Sequence, residues 1–284
     1  MNSQYLLLSG IFLIACLSGR TGNYEPKSAV VSPTSPQDTG WTFETTPIWA
    51  DEFNYTGSPD PSKWSYDIGG NGWGNHELEY YTNSIRNATV SGGVLTITAI
   101  KEDIGEQHFS SARLVTKNKG DILYGRVEVK ALIPGGIGTW PAIWMLPTDW
   151  VYGGWPASGE IDIMEHVGYN PDVIHISTHC ESYYWIKNNQ KTAIKKIENA
   201  SSEFHLYRLD WTPDAIRGYI DDTLIFTNIN EGSGYKTWPF DQRFHLILNI
   251  AVGGDWGGEQ GVNDAAFPAA MQVDYVRFFK MILK

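Results

Sequence analysis

Arg126-Val127-Glu128-Val129-Lys130-Ala131 alternates charged side chains with small or branched apolar ones. Successive side chains of a β-strand point to opposite faces, so this alternation predicts a strand with one face in solvent and the other in the core. Leu95-Thr96-Ile97-Thr98 repeats the pattern more weakly. Both segments therefore predict sheets that have one wet and one buried face.

Further β-like runs cover residues 216–220, 244–252 and 273–279. Turns rich in Gly or Pro, such as Pro134-Gly135-Gly136, separate these runs, and no long helical period is present. Many strands without intervening helices predict an all-β fold, an antiparallel sandwich or jelly roll. We find no internal repeat and no second domain.

Composition limits the classes of ligand. Of the 284 residues 42% are hydrophobic and 19% charged, which predicts a globular body. The net charge of -11 argues against binding nucleic acid or a heavily sulfated polysaccharide, because both require a basic surface. Twelve Trp, fifteen Tyr and eleven Phe exceed the needs of the core, and exposed rings can stack on sugars. A neutral ligand is expected.

Residues 1–16 have the features of a signal segment. The apolar run between Tyr5 and Ala15 is too short to span a bilayer but has the length of a secretory h-region. It ends in Leu13-Ile14-Ala15-Cys16, which resembles a bacterial lipobox. We therefore expect export, with Cys16 acylated as a lipid anchor at the cell envelope. Because residues 1–4 contain no Lys or Arg, secretion after cleavage elsewhere is the alternative.

Residues 17–46 are rich in Ser, Thr, Pro and Gly, which predicts a disordered tether. We place the start of the folded domain near Pro47, so that residues 47–284 form one domain, and we expect a monomer. The chain contains two cysteines, Cys16 and Cys180. If Cys16 is acylated, Cys180 has no disulfide partner, and a buried inert thiol is expected there.

The stretch Gly159-Glu160-Ile161-Asp162-Ile163-Met164-Glu165-His166 alternates three carboxylates with apolar residues. In a regular strand Glu160 and Asp162 share a face, whereas Glu165 points to the other. A β-bulge at Ile163-Met164 returns Glu165 to their side. The two glutamate Cα atoms are then ~13 Å apart, and inclined side chains bring the carboxyls to roughly 5–6 Å, near the ~5–5.5 Å of retaining glycosidases. Acidic residues on an ordinary solvent-exposed strand are the alternative.

The chain resembles glycoside hydrolase family 16, specifically its laminarinase-type members. The resemblance runs from Trp49 to Phe279 and rests on these segments, in order: Trp49-Ala50-Asp51-Glu52-Phe53, Asn71-Gly72-Trp73-Gly74-Asn75-His76-Glu77-Leu78-Glu79, Ser111-Ala112-Arg113-Leu114, Trp140-Pro141-Ala142-Ile143-Trp144, the carboxylate stretch, Asn249-Ile250-Ala251-Val252-Gly253-Gly254 and Val273-Asp274-Tyr275. It implies a β-jelly-roll sandwich of two antiparallel sheets, with the substrate cleft on the concave sheet.

The resemblance also implies a function, a retaining endo-β-1,3-glucanase acting on laminarin-like glucans. Glu160 corresponds to the nucleophile, Asp162 to its assistant and Glu165 to the acid/base. With Asp162 hydrogen-bonded to it, Glu160 is expected to stay ionised, while nearby carboxylates raise the pKa of Glu165. The bulged spacing E-x-D-x-x-E is typical of the laminarinase, agarase and carrageenase branches. A mixed-linkage β-1,3-1,4-glucanase, a marine-galactan hydrolase and a non-catalytic glucan-binding module stay open as alternatives.

The family resemblance assigns further residues to the substrate cleft: Trp73, Asn75, Glu79, Arg113, Trp140, Trp144 and Trp256. A surface salt bridge for Arg113 and a core position for Trp144 are the competing interpretations. His175, Ser177 and His179 alternate with less polar residues, which predicts that one strand turns them toward the cleft, with His179 as the preferred cleft histidine.

No cofactor is expected for catalysis. The resemblance implies a structural calcium ion on the convex side, bound by the carboxylate of Asp274 and by backbone oxygens near Glu52 and Gly93. Ligation by oxygen alone suits calcium.

Overall fold

The computed structural model describes residues 40–284. Its strands are β1 (Trp41–Phe43), β2 (Trp49–Asp51), β3 (Ser65–Asp67), β4 (Glu79–Tyr81), β5 (Ala88–Ser91), β6 (Val94–Ile104), β7 (Gln107–Ser111), β8 (Arg113–Val115), β9 (Gly125–Leu132), β10 (Thr139–Pro147), β11 (Glu160–His166), β12 (Val173–His179), β13 (Lys191–Lys196), β14 (His205–Trp211), β15 (Ala215–Ile220), β16 (Thr223–Ile229), β17 (Phe244–Val252), β18 (Ala269–Phe279) and β19 (Met281–Leu283). The helices within this range are two short 3₁₀ turns, Trp185–Lys187 and Asp264–Ala266.

Two large sheets form the body. One has seven strands in the order β13-β12-β11-β10-β17-β8-β3. The other follows the order β16-β15-β14-β9-β18-β6-β7-β4, with β2 beside β18 and β5 beside β6. Neighbouring strands are antiparallel except for the parallel pair β4 and β7. The predicted all-β, antiparallel sandwich is confirmed.

The core lies between the two sheets. On β9, Val127 and Val129 are fully buried, while the charged residues that alternate with them, Arg126, Glu128 and Lys130, are only partly buried, as the alternation predicts. Leu95 and Ile97 of β6 are likewise fully buried. Inward-facing side chains of both sheets join in one hydrophobic cluster that also contains Cys180. The Cys180 thiol is free and buried, which confirms the expected buried position, and burial raises its pKa.

The folded domain begins earlier than Pro47. β1 pairs in antiparallel register with β19, and Trp41 Nε1 donates a 2.9 Å hydrogen bond to Asp214. The Arg126 guanidinium lies 4.8 Å from the ring of Phe43. The predicted tether boundary at residue 46 is therefore wrong. The Ser- and Pro-rich composition of the preceding segment concealed a short strand, Trp41-Thr42-Phe43, whose apolar residues alternate with a polar one.

Cys16, the apolar run and most of the predicted tether lie outside the described residues. Within residues 40–284, no helix has both the length and the apolar character that crossing a membrane requires.

Candidate active site

A cleft of about 780 Å³ lies on the outer face of the seven-stranded sheet. Side chains of β8, β10, β11, β12, β13 and β17 form its floor, and loops on either side form its walls. All three carboxylates of the E-x-D-x-x-E motif line this cleft. The motif is therefore not part of an ordinary solvated strand face.

A β-bulge brings the three carboxylates to one face. On the β12 side, Asp162 is opposite Ser177 and Glu165 is opposite His175, so three steps along β11 match two along β12. The register with β10 shifts at the same place. Ile163 and Met164 are both fully buried, so consecutive side chains point into the core. The bulge that the spacing predicts is confirmed.

Indole N–H groups hold the two glutamates. Trp155 Nε1 donates a 2.8 Å hydrogen bond to Oε2 of Glu160, and Trp140 Nε1 donates a 3.2 Å bond to Oε1 of Glu165. His179 lies opposite Glu160 on β12. Its Nε2 is 3.2 Å from Oδ2 of Asp162 and 3.9 Å from Oε1 of Glu160. Each glutamate thus has its own indole donor, and the His179 ring lies beside both Asp162 and Glu160.

Burial and mutual repulsion keep protons on this carboxylate group. Burial, followed by the charge of Asp162, raises the pKa of Glu160 to about 8, and burial raises that of Asp162 to about 8. Burial and the charges of Asp162 and Glu160 hold the pKa of Glu165 well above its usual range. His179 and the Trp155 N–H lower the pKa of Glu160 against this trend. His179 and the Trp140 N–H lower the pKa of Glu165 in the same way. The expectation that the contact with Asp162 keeps Glu160 ionised is therefore wrong, because Asp162 raises the pKa of Glu160, while the expected rise for Glu165 agrees with the structure.

Arg113 is packed between two cleft tryptophans. Its guanidinium carbon lies 4.7 Å from the ring centroids of both Trp73 and Trp144, and its Nε donates to Asp67 at 3.1 Å. Trp144 Nε1 donates a 2.7 Å bond to Oδ1 of Asn249. Arg113 is thus ion-paired and buried, yet it lines the cleft, as Trp144 does.

The other predicted cleft residues, except one, also line it. Trp256 stands edge-on to Trp140 at 5.4 Å and to His175 at 4.8 Å. Asn75 and His179 belong to the same lining, as does Ser177. The interpretation of β12 as a strand with its polar face toward the cleft is confirmed.

Glu79 is the exception. It is fully buried, and its Oε2 accepts a 2.6 Å hydrogen bond from the backbone N–H of Val252. Glu77 lines the cleft instead. The assignment of Glu79 to substrate binding is therefore wrong, because Glu79 and Tyr81 form the buried face of β4.

Sequence reasoning missed Glu77 and Trp155. A signal for Trp155 was present, since it lies five residues before Glu160 in the loop Gly153-Gly154-Trp155-Pro156 that leads into β11.

Within residues 40–284, one group of side chains lies close enough together to hold a metal ion. This group consists of Glu160, Asp162 and His179. Each residue offers one possible ligand atom, and these three atoms lie within 4.8 Å of one another. Because these residues include both carboxylates of the proposed nucleophile and its assistant, we interpret the group as part of the catalytic site. The residues assigned to calcium lie at the other sheet, where Asp274 Oδ2 is 2.8 Å from Lys130 Nζ and Glu52 accepts two hydrogen bonds from Arg277.

Comparison with known proteins agrees with this geometry. The family model "Glycosyl hydrolases family 16" matches residues 75–277. A β-glucanase of Rhodothermus marinus is 51% identical over 243 residues, 83% of this chain and 85% of the relative. The X-ray structure of the laminarinase from Rhodothermus marinus superposes with a TM-score of 0.83 at 50% identity, covering 85% of this chain and 99% of that one.

A further solved structure, SCLam, is described as a non-specific endo-β-1,3(4)-glucanase of the same family. It superposes with a TM-score of 0.79 at 42% identity and covers 88% of this chain and 94% of that one. These similarities cover more than four-fifths of this chain and confirm the jelly-roll fold. The chain belongs to glycosyl hydrolase family 16.

Proposed function

We propose that this protein is a retaining endo-β-1,3-glucanase that cleaves laminarin-like glucans. The observation that carries the proposal is the placement of Glu160 and Glu165 on one face of a bulged strand, in one cleft, with separate indole donors. The similarity to proteins named β-glucanase and laminarinase supports the substrate class.

The proposed reaction is a double displacement. Glu165 protonates the glycosidic oxygen while Glu160 attacks the anomeric carbon, and a covalent glycosyl-enzyme forms as the shortened glucan leaves. Glu165 then takes a proton from water, which attacks the same carbon and releases Glu160. Asp162 and His179 orient Glu160. The Trp140, Trp144 and Trp256 rings offer stacking surfaces for the sugars.

The assay is hydrolysis of laminarin, curdlan, lichenan and agarose by the purified protein, with products sized over time. We expect laminarin to be the best substrate and oligosaccharides of mixed length to appear first, because an open cleft accepts internal chain positions. Glucose as the sole early product would refute endo-cleavage. Faster hydrolysis of agarose would refute the β-1,3-glucanase assignment.

Mixed-linkage glucan is the second candidate substrate. The likeness to the non-specific endo-β-1,3(4)-glucanase favours it. Lichenan hydrolysis at a rate comparable with that of laminarin would identify this broader specificity. Non-catalytic glucan-binding proteins of this fold lack the catalytic glutamate pair, whereas this chain retains both glutamates, which favours the enzyme.

We also propose export, with Cys16 acylated and the following segment acting as tether. The lipobox-like Leu13-Ile14-Ala15-Cys16 supports it. Mass spectrometry of the mature N-terminus tests it: a diacylglyceryl-cysteine at residue 16 is expected, and a soluble protein that begins beyond Cys16 would exclude it.

We also propose the structural calcium ion that the family resemblance implies near Asp274. The Asp274 carboxylate is already paired with Lys130, so this side chain fits calcium only if it exchanges one cation for the other. A rise in Tm when calcium replaces EDTA, lost in Asp274→Ala, would support the site. An unchanged Tm would exclude it.

A further inference from the structure

Beside the catalytic group, the cleft wall contains a second pair of acidic residues. Glu77 lines the cleft and is 7% exposed, while Glu79 lies behind it and is fully buried. The two carboxyl groups are close enough for each to shift the pKa of the other through a side-chain hydrogen bond. Two ionised carboxylates cannot share a hydrogen bond, so the contact requires a proton.

The surroundings place that proton on Glu79. Burial, reinforced by the charge of Glu77, holds the pKa of Glu79 well above its usual range. Its Oε1 is buried without a partner when the group is written as a carboxylate, which a proton shared with Glu77 explains. Burial also raises the pKa of Glu77, but hydrogen bonds from Glu79 and Asn75 and the charge of Arg113 oppose that rise.

A series of hydrogen bonds runs from Trp144 to Glu77, and each group in it donates to the next. The Trp144 indole can only donate, and it donates to Oδ1 of Asn249 at 2.7 Å. The Asn249 amide N–H therefore donates to the Tyr81 hydroxyl at 2.9 Å, and Tyr81 donates to Oε2 of Glu77 at 3.2 Å. Asn75 Nδ2 donates to Oε1 at 3.1 Å. Every link is oriented so that Glu77 accepts.

Glu77 retains capacity for one more donor. A carboxylate offers about four acceptor positions, and Asn75, Tyr81 and Glu79 occupy three of them. Because Glu77 lines the cleft, its remaining acceptor position can receive a hydrogen bond from a bound ligand. A neutral glucan presents hydroxyl donors, and a hydrogen bond to an ionised acceptor is stronger than one between neutral groups.

We propose that Glu79 is a protonated positioning residue that holds Glu77 as an ionised acceptor for a hydroxyl group of the bound glucan. The proposal rests on the proposed glucanase function for the identity of the ligand. The same series of hydrogen bonds holds the Trp144 indole. The backbone of Trp144 is paired with Asp162 on β11, so the hydrogen bonds that orient Glu77 also connect to the catalytic strand.

The test uses the full chain with Glu77→Gln, Glu79→Gln and, as a control that also removes one acidic charge, Glu106→Gln at an exposed turn outside the cleft lining. Glu77→Gln should raise KM on laminarin about tenfold or more, because a hydrogen bond to a charged group is lost. Its kcat should stay within about threefold if the interaction is made equally in ground and transition states.

Glu79→Gln should raise KM less than about threefold, because the amide N–H replaces the acid proton and the amide oxygen still accepts from Val252. Glu106→Gln should match the parent. An unchanged KM in folded Glu77→Gln, with a parent that cleaves laminarin, would overturn the role of Glu77. A parent that does not cleave laminarin would instead overturn the proposed function.

Infrared difference spectroscopy tests the proton on Glu79 without substrate. The parent minus Glu79→Gln spectrum at neutral pH should contain the C=O band of a protonated carboxylic acid. A difference spectrum with only carboxylate bands would contradict the proposal, even if Glu77→Gln failed to fold. Circular dichroism of each variant establishes that it is folded.

Discussion

Replacing Trp155 with Phe removes the indole N–H that donates to Glu160 at 2.8 Å while keeping an aromatic ring at the same position. Hydrogen bonds to charged groups contribute ~1.5–3 kcal/mol. Trp155 is 36% exposed, so solvent weakens the bond and the lower end applies. We therefore expect a loss of about 1.5 kcal/mol, or roughly tenfold in kcat/KM.

The same substitution should shift the pH dependence. The indole bond favours the ionised form of Glu160, so its loss raises the pKa of that carboxyl by about one unit for ~1.4 kcal/mol. Because Glu160 must be ionised to attack, the acidic limb of the kcat/KM profile should move to higher pH. The assay is hydrolysis of laminarin between pH 4 and 10.

Trp41→Phe is the matched control, because it removes an indole–carboxylate bond of 2.9 Å to Asp214, outside the cleft. Its profile should coincide with that of the parent. An acidic limb in Trp155→Phe that stays in place, or moves to lower pH, would refute the assigned role of the indole.

Three further changes have defined outcomes. Glu165→Ala should lose at least ~10²-fold activity on laminarin, the lower range of general acid-base catalysis, while a substrate with a good leaving group still gives a burst of product. A chain shortened to begin at Pro47 should unfold roughly 3–9 °C below one that begins at Gly40, since it loses the β1–β19 pairing, worth about 1–3 kcal/mol. If the two chains had the same Tm, β1 would add no stability. Glu160→Gln should be more stable than the parent at pH 8.5 and closer to it at pH 5. The pKa of Glu160 is raised from 4.5 to about 8 in the folded protein. The folded state of the parent therefore loses stability as pH rises from below 4.5 through 8, whereas a glutamine has no proton to lose. Thermal unfolding at both pH values measures the difference.

The strands and the bulge could be predicted because their signals are local. Val127 and Val129 alternate with charges over a few residues, and alternation reports which face is buried. The bulge follows from spacing alone, since an even period cannot place Asp162 and Glu165 on one face without an extra residue.

Local sequence patterns could not predict how deeply a given side chain is buried or which strands distant in the sequence pair. Glu77 and Glu79 are two residues apart, so strand periodicity assigns them to the same face. In the structure Glu79 lies in β4 and pairs with β7, whereas Glu77 precedes β4 and bridges to Gly253. β1 pairs with a strand about 240 residues later in the chain. The contact of Trp155 with Glu160 depends on the path of a loop, which composition does not encode.

The most direct test of the central claim is the anomeric product formed when azide replaces the missing carboxylate. Glu160→Ala leaves room for a small anion opposite the departing sugar, so azide with an activated β-glucoside should yield the α-glucosyl azide. In Glu165→Ala the glycosyl-enzyme still forms, and azide should intercept it to give the β-glucosyl azide. Products of the opposite anomeric forms would contradict the assignment of Glu160 as nucleophile and Glu165 as acid/base.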